Sequence, residues 1–221
     1  MSTTSLGLGD ALQSYLLDVS LKEPTVCQRL REQTLSMTEF NMLSSPEQVQ
    51  LLLLLAKLID AEHGLEVGTF TGYTTLRLTL GIPDLRMTCC DINEEFTSVG
   101  CRYWEETGVD KRVDLRLAPA LETLDSLIDS GKNNTYDFAY IDADKSTYRE
   151  YVERCLILVR SGGFIAIDNV LWSGEVANPE NRADDTLALR SLNSWLYSQE
   201  HYDYDMSLVP IGDGLTLLRK A

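Results

Sequence analysis

The chain has little positive charge and little histidine. Its 221 residues include 19 lysines and arginines and two histidines against 34 aspartates and glutamates, which gives a formal net charge of −15. Such a surface repels phosphate backbones and anionic lipid. We therefore expect neither a nucleic acid nor a membrane surface as a partner.

Paired cysteines and long apolar runs are also missing. The five cysteines contain no CxxC pair and are odd in number, which argues against a disulfide framework or a zinc knuckle. The first twenty residues lack a basic segment followed by a cleavage site, and the apolar run from Leu51 to Leu55 reaches Ile59 only through Lys57. Neither segment is typical of a secretory signal or a membrane span. These absences favour a cytoplasmic protein with reduced cysteines.

The first sixty residues have the apolar spacing of helices. Ser45, Pro46 and Glu47 form a strong helix start, with a hydroxyl cap, a first-turn proline and an acid at the positive end of the helix dipole. At this length a single α/β domain is the simplest organisation. We predict a core over residues 45–221 and a helical extension or lid over residues 1–44. The predicted helices of this part are Asp10–Val19, Thr25–Thr38 and Pro46–Ile59.

From Gly64 onward, short apolar runs alternate with amphipathic helical patterns, which predicts a mostly parallel sheet with helices on both faces. The turn from Ile211 to Gly214 is a hairpin signal, so one strand near the sheet edge should run antiparallel. The predicted strands are Gly64–Gly68, Leu85–Asp91, Val113–Ala118, Tyr136–Asp142, Gly163–Asn169, Tyr204–Pro210 and Leu215–Arg219. The predicted helices are Thr71–Leu80, Glu94–Thr107, Ala120–Ser130, Lys145–Arg160 and Thr186–Ser198.

Polar side chains gather at the carboxyl ends of these strands, where parallel sheets bind their ligands. Four acids and an amide converge there, and uncompensated carboxylates would repel each other, so we expect something cationic in this place. The residues are Glu66, Asp91, Asp142, Asp168 and Asn169.

A glycine loop follows the first predicted strand. Gly68 and Gly72 stand four residues apart, and the middle glycine of the dinucleotide fingerprint G-x-G-x-x-G is missing. Asp91 ends the second strand, where an acid commonly accepts hydrogen bonds from ribose hydroxyls. With Glu66 inside the loop, the pattern favours a nucleoside that carries a positive group. A tight strand–helix connection, and Asp91 as a helix cap, are the alternatives.

Five motifs in order make a resemblance specific. They are E-V-G-T-F-T-G-Y-T-T-L (66–76), C-D-I-N (90–93), Y-I-D-A-D-K (140–145), I-D-N-V-L-W-S-G (167–174) and G-D-G-L-T-L-L (212–218). Over about residues 35–221 the chain resembles the cation-dependent class I O-methyltransferases, the caffeoyl-coenzyme A and catechol O-methyltransferase family. The resemblance implies S-adenosylmethionine, a divalent metal, a Rossmann-like seven-stranded sheet and a homodimer.

The resemblance also assigns cofactor contacts. Val49 departs from it, because many members have glycine at this place in the lid segment. The residues that match cofactor contacts are Met42, Ser44, Glu66, Gly68, Thr74, Asp91, Ala120 and Asp142.

Asp142, Asp168 and Asn169 match the metal ligands of the family. Hard oxygen ligands suit Mg²⁺ foremost, and Mn²⁺ or Ca²⁺ as alternatives, rather than zinc. Turn or helix caps are the competing interpretation of these side chains. In the family the cation receives both oxygens of a catechol.

Lys145 matches the lysine proposed as general base, and Asp142 supports catalysis by holding the metal. The metal would act as a Lewis acid that lowers the pKa of a phenol, and methyl transfer would be a direct displacement. A surface lysine in the first turn is the alternative for Lys145. Trp172 resembles the aromatic wall over the acceptor ring, and Tyr148 is a second candidate for substrate binding.

The acceptor is the least determined part of the prediction. Between Ser173 and Thr186 the only basic residue is Arg182, followed by Arg190, which favours a free catechol over a coenzyme A ester. A non-catalytic S-adenosylmethionine-binding module is an alternative function. A nicotinamide-dependent oxidoreductase is another, although it leaves the acidic triad of Asp142, Asp168 and Asn169 unexplained.

Overall fold

A computed structural model of the protein describes residues 7–198 and 203–221. Seven strands form one sheet in the order β3-β2-β1-β4-β5-β7-β6. The strands are β1 (His63–Val67), β2 (Arg86–Asp91), β3 (Val113–Leu117), β4 (Tyr136–Ile141), β5 (Val159–Ile167), β6 (Tyr204–Val209) and β7 (Leu215–Lys220). The helices are α1 (Asp10–Ser20), α2 (Thr25–Leu35), α3 (Pro46–Leu58), α4 (Tyr73–Gly81), α5 (Glu94–Thr107), α6 (Ala120–Asp129), α7 (Tyr148–Leu158) and α8 (Asp184–Ser198).

The strand directions confirm the predicted fold class. β1 to β5 pair in parallel, whereas β7 runs antiparallel to both β5 and β6. The reversed strand is therefore one position in from the edge, because the hairpin places β6 outside it. The order reverses between β1 and β4, which is where such sheets bind ligands.

Some element bounds differ from the predicted ones for local reasons. Gly72 has a left-handed φ of +73°, so α4 begins at Tyr73 rather than at Thr71. The segment predicted as one helix over Lys145–Arg160 is a short 3-10 turn followed by α7. β5 begins at Val159 rather than Gly163, since Val159 already pairs with Tyr136 across a register irregularity.

Both faces of the sheet are covered. Leu65, Val67 and Ile141 belong to a core under α6, α7 and α8, whereas Phe138 and Tyr140 belong to a second core under α3. This split follows the alternation of side chains along a strand. All six residues of β4 are buried, as expected for a central strand covered on both sides.

The N-terminal helices are joined to the core by specific contacts. Val49, the residue that departs from the family pattern, is fully buried in a third apolar cluster with Leu30 of α2. α1 is held by polar bonds: Gln13 Nε2 donates to Glu47 Oε1 at 2.8 Å, and the backbone N–H of Lys22 donates to Gln50 Oε1 at 2.7 Å. Within the described part of the chain, no helix has both the length and the apolar character to cross a membrane.

Asp137, at the amino end of the central strands, gives a pH-dependent test of the fold. Its carboxylate accepts bonds from Arg160 Nε at 2.6 Å and from the backbone N–H groups of Glu62 and His63, each at 2.8 Å. Burial opposes ionisation, but these hydrogen bonds outweigh it and lower the pKa of Asp137 below 3.8. The ionised form therefore stabilises the fold above the unfolded pKa, and this contribution is lost as pH falls through the folded pKa.

We expect Asp137→Asn to lower the free energy of unfolding at neutral pH, because the amide cannot replace a three-bond acceptor. The difference from wild type should shrink below about pH 4. Urea unfolding over a pH series measures it, with the exposed Asp84→Asn as the matched control. A difference that stays constant with pH would contradict the assignment.

Candidate active site

A cavity of about 460 Å³ opens at the carboxyl ends of β1, β2 and β4. Its size is typical of a small-molecule site. Lys145 and Trp172 lie on its wall beside all eight residues predicted to contact the cofactor. The eight are Met42, Ser44, Glu66, Gly68, Thr74, Asp91, Ala120 and Asp142.

In the glycine loop, Gly68 has a backbone conformation that only glycine permits. Its φ is +90°, and a Cβ at this position would lie 2.0 Å from the carbonyl oxygen of Asp142. The loop after β1 and the loop after β4 therefore touch backbone to backbone. This close approach brings Asp142 to the wall of the same cavity as the glycine loop.

Asp91 holds the glycine loop in place. Its Oδ2 accepts bonds from the backbone N–H groups of Thr69 at 2.9 Å and Phe70 at 2.8 Å, and its Oδ1 accepts from Asn93 N–H at 2.8 Å. Asn93, whose Oδ1 accepts from the N–H of Phe96, is the cap of α5. Asp91 is thus not the helix cap of the alternative interpretation, and it lines the cavity.

Glu66 is a buried acid without a full set of partners. It is 1% exposed, and its Oε2 accepts from Thr75 Oγ1 at 2.6 Å. Its Oε1 has no hydrogen-bond partner among the described residues. Burial, and then the charges of Asp91 and Asp142, raise the pKa of Glu66 to about 8. A ligand that brings a positive group would satisfy this side chain.

A second, much smaller cavity adjoins the first. Asp142, Asp168 and Asn169, the three predicted metal ligands, line it together with Ser44 and Gln48. Met42, Leu43, Ser44 and Asp142 line both cavities. The two spaces are therefore separated by a wall that these four residues form.

The small cavity brings carboxyl groups close together in buried surroundings. Asp168 is 2% exposed, and burial together with the charge of Asp142 raises the pKa of Asp168 to about 7. Asn169 has a left-handed φ of +59°, and its buried Oδ1 has no hydrogen-bond partner among the described residues. Two carboxylates and an orphaned amide oxygen are donors that fit a hard divalent cation.

Residues 7–198 and 203–221 contain no group of three or more histidine, cysteine or carboxylate side chains gathered as a metal site. The predicted set differs from such a group because its third member, Asn169, is an amide.

Lys145 is buried beside the shared wall rather than exposed in a first turn. It is 6% exposed, and Nζ donates to Asp142 Oδ1 at 3.1 Å, to the carbonyl oxygen of Ala143 at 3.0 Å and to Tyr148 Oη. Nζ also lies 5.8 Å from the centre of the Trp172 ring. The surface-lysine alternative does not describe this side chain.

Trp172 and Tyr148, the two predicted substrate residues, have different positions. Trp172 is half-buried on the wall of the large cavity. Tyr148 is fully buried outside this wall, where its hydroxyl contacts Lys145. Of these two residues, only Trp172 lines the large cavity. Tyr148 can act on the cavity through Lys145.

Several residues on the wall were not found from the sequence. Ile92 lines the large cavity although 76% of it is exposed, and Tyr151 and Asp185 line it from α7 and α8. Ile92 carried a usable signal, since this large apolar side chain directly follows Asp91, the acid predicted to bind the ribose. Tyr140 and Gln48, which bond to Asp168 from outside the large cavity, carried none.

Comparison with known proteins identifies the family of this chain. A family model described as O-methyltransferase matches residues 17–221. The chain belongs to the O-methyltransferase family. The mouse protein named catechol O-methyltransferase domain-containing protein 1 is 40% identical, over 95% of this chain and 79% of that protein. A caffeoyl-CoA O-methyltransferase of Petroselinum crispum is 36% identical, over 98% and 93%.

The solved structures agree in fold. The O-methyltransferase TomG from Streptomyces achromogenes, in complex with S-adenosylmethionine, superimposes with a TM-score of 0.82 at 27% identity, covering 96% of each chain. The predicted family and the predicted enzyme class are confirmed, and the bound neighbour supports the predicted cofactor.

Glu66 provides a test of the site in the absence of any ligand. Because its folded pKa lies above the unfolded value of 4.5, the unfolded chain ionises first, and stability falls as pH rises from about 4.5 to about 8. Glu66→Gln removes this loss. We expect the melting temperature of the variant to exceed that of wild type by an amount that grows over this range and then levels off.

Thermal melts across the pH series measure the effect, and exposed Glu62→Gln is the control. The same Glu66→Gln variant should bind S-adenosylmethionine more weakly than wild type. A melting difference independent of pH would show that burial does not raise the pKa of Glu66.

Proposed function

We propose that this protein transfers the methyl group of S-adenosylmethionine to one hydroxyl of a small vicinal diphenol, with a divalent cation held by Asp142, Asp168 and Asn169. The observation that carries the proposal is the wall shared by the two cavities at Asp142 and Ser44. A methyl donor in the large cavity and a cation in the small one would meet at this wall.

The cofactor would be held by groups whose charge suits it. Glu66 would take the ammonium group at the methionine end, which relieves its partnerless oxygen. Asp91 would accept hydrogen bonds from the ribose hydroxyls. Gly68, which has no side chain, would let the backbone approach the cofactor closely. Ala120 would lie against the adenine.

When bound, the cation supplies Lewis acidity that lowers the pKa of a phenol; Mg²⁺ is the first choice and Mn²⁺ or Ca²⁺ the alternatives. Lys145 Nζ would accept the phenolic proton. Its ammonium form has acceptors in Asp142 Oδ1, the Ala143 carbonyl oxygen and Tyr148 Oη. The phenolate oxygen then bonds to the methyl carbon as the carbon–sulfur bond breaks, and S-adenosylhomocysteine leaves.

The charges around the cavity favour a free diphenol over a coenzyme A ester. Lys145 is the one basic residue among the described residues of the wall, which also carries Asp144 and Asp185. Arg190 donates hydrogen bonds to carbonyl oxygens of the loop before α8, including that of Val176 at 2.8 Å. Phosphates would therefore find few partners at this cavity.

The organisation of the chain is part of the proposal. Met42 and Ser44 reach the cavity from the end of the segment 1–44, which supports its role as a lid on the core 45–221; residues 1–6 lie outside the described part. Exposed apolar side chains on α1 and α3, such as Tyr15 and Leu58, support a homodimer. A cytoplasmic location completes the proposal.

The first test is methyl transfer to a panel of catechols, including caffeic acid and its coenzyme A ester, with Mg²⁺ and with EDTA. We expect Mg²⁺-dependent product and faster turnover of free catechols. Asp142→Ala should reduce turnover at least about 100-fold, whereas exposed Asp129→Ala should not. EDTA-resistant transfer would remove the cation from the mechanism. S-adenosylmethionine binding without transfer to any acceptor would favour the non-catalytic module.

Lys145→Met tests the proton acceptor separately, because methionine keeps the length of the side chain without its charge. We expect kcat to fall at least about 100-fold, with the Kd for S-adenosylmethionine unchanged. Exposed Lys132→Met is the matched control. Unchanged kcat with a raised KM would instead make Lys145 a binding residue.

A further inference from the structure

A chain of hydrogen bonds runs behind the wall that the two cavities share. Tyr140 Oη donates to Asp168 Oδ2 at 2.6 Å and lies 2.9 Å from Ser44 Oγ. Gln48 Nε2 donates to the same Asp168 oxygen at 2.6 Å and to Tyr140 Oη at 3.2 Å. Tyr140 is 1% exposed and lines neither cavity.

The direction of each bond follows from the donors available. A tyrosine hydroxyl has one proton and two lone pairs. Its proton goes to the Asp168 carboxylate, so the bond from Ser44 must bring the serine proton to Tyr140.

This direction decides what Ser44 can offer a ligand. With its proton used toward Tyr140, the Ser44 oxygen has lone pairs left for the cavities that it lines. The Asp168 oxygen that accepts the Tyr140 proton therefore orients Ser44 as an acceptor, through Tyr140. Because Ser44 is on the segment before α3 and Asp168 follows β5, the bonds also hold these two segments at a fixed spacing.

We propose that Tyr140, supported by Gln48, is a positioning residue that couples the cation subsite at Asp168 to the cofactor subsite at Ser44. The inference rests on the proposed function, since it requires a cation at Asp168. A cation bound at Asp168 would hold this carboxylate in place as the acceptor of the Tyr140 hydroxyl, and the bond from Ser44 to Tyr140 would then leave the Ser44 lone pairs available to a cofactor. Binding of each ligand should therefore strengthen binding of the other by the same factor.

The experiment uses Mn²⁺ and S-adenosylhomocysteine as probes, so that no turnover occurs. Calorimetric titration gives the Kd of each probe with and without the other. We expect wild type to show a coupling factor of at least about 5 in both directions. Tyr140→Phe should weaken Mn²⁺ binding about 10-fold and reduce the coupling factor toward 1.

Tyr136→Phe is the matched control. Tyr136 is also a buried tyrosine of β4, and its hydroxyl bonds to Thr88 at 3.0 Å. We expect this variant to keep both affinities and the coupling factor, so that loss of any buried β4 hydroxyl is separated from loss of the Asp168 partner.

Ser44→Ala provides a second route to the same test, should Tyr140→Phe fold poorly. It leaves the bond between Tyr140 and Asp168 in place and breaks only the link to the cofactor side. Mn²⁺ affinity without S-adenosylhomocysteine should stay within about twofold, while the coupling factor falls toward 1. A merely structural role for Ser44 would not separate these two quantities.

The outcomes distinguish this inference from the proposed function. If wild type binds Mn²⁺ and S-adenosylhomocysteine independently, or if Tyr140→Phe and Ser44→Ala keep the coupling, the role of Tyr140 is overturned while the proposed function stands. If wild type binds no Mn²⁺ with or without S-adenosylhomocysteine, the cation is removed from the proposed function and the inference fails with it.

Discussion

Burial of negative charge at the carboxyl ends of the central strands is the constraint on which the site depends. Glu66 and Asp168 are almost inaccessible to solvent, and burial raises the pKa of both. Carboxylates in such surroundings need hydrogen-bond donors or cations. Thr75 donates to Glu66, and Tyr140 donates to Asp168. Lys145 donates to the neighbouring Asp142. Glu66 Oε1 and Asn169 Oδ1 have no hydrogen-bond partner among the described residues, so a ligand that brings a positive group would offset the cost of their burial.

The glycine loop and the N-terminal segment enclose these buried acids in a cavity. Gly68 lets the β1 and β4 loops touch, and Asp91 fixes the loop through backbone bonds. From the other side, the segment before α3 brings Ser44 against Tyr140. Three separated parts of the chain thus converge on one place, and none of them forms the site alone.

Much of the fold could be predicted from the sequence, and so could eight residues that line the large cavity. Alternation of apolar runs with helical patterns gave the parallel sheet, and the glycines at 212 and 214 gave the hairpin. The bounds of α4 and β5 could not be predicted, because they depend on a left-handed Gly72 and on pairing with β4. Tyr148 was placed in the substrate site by resemblance, but α7 turns its side chain into the core beneath Lys145.

The sequence by itself determined the chemical inventory: which acids end which strands, the missing middle glycine, and the excess of negative charge. These are local properties, fixed by residue type and by position along a strand. Only the tertiary structure decided where these side chains lie relative to one another and which of them are buried. It buried Lys145, placed Asp142 and Ser44 on the wall between two cavities, and joined Ser44 to Asp168 through Tyr140. Such relations link residues up to 124 positions apart along the chain, and they exist because parallel strands bring distant carboxyl ends to one edge of the sheet.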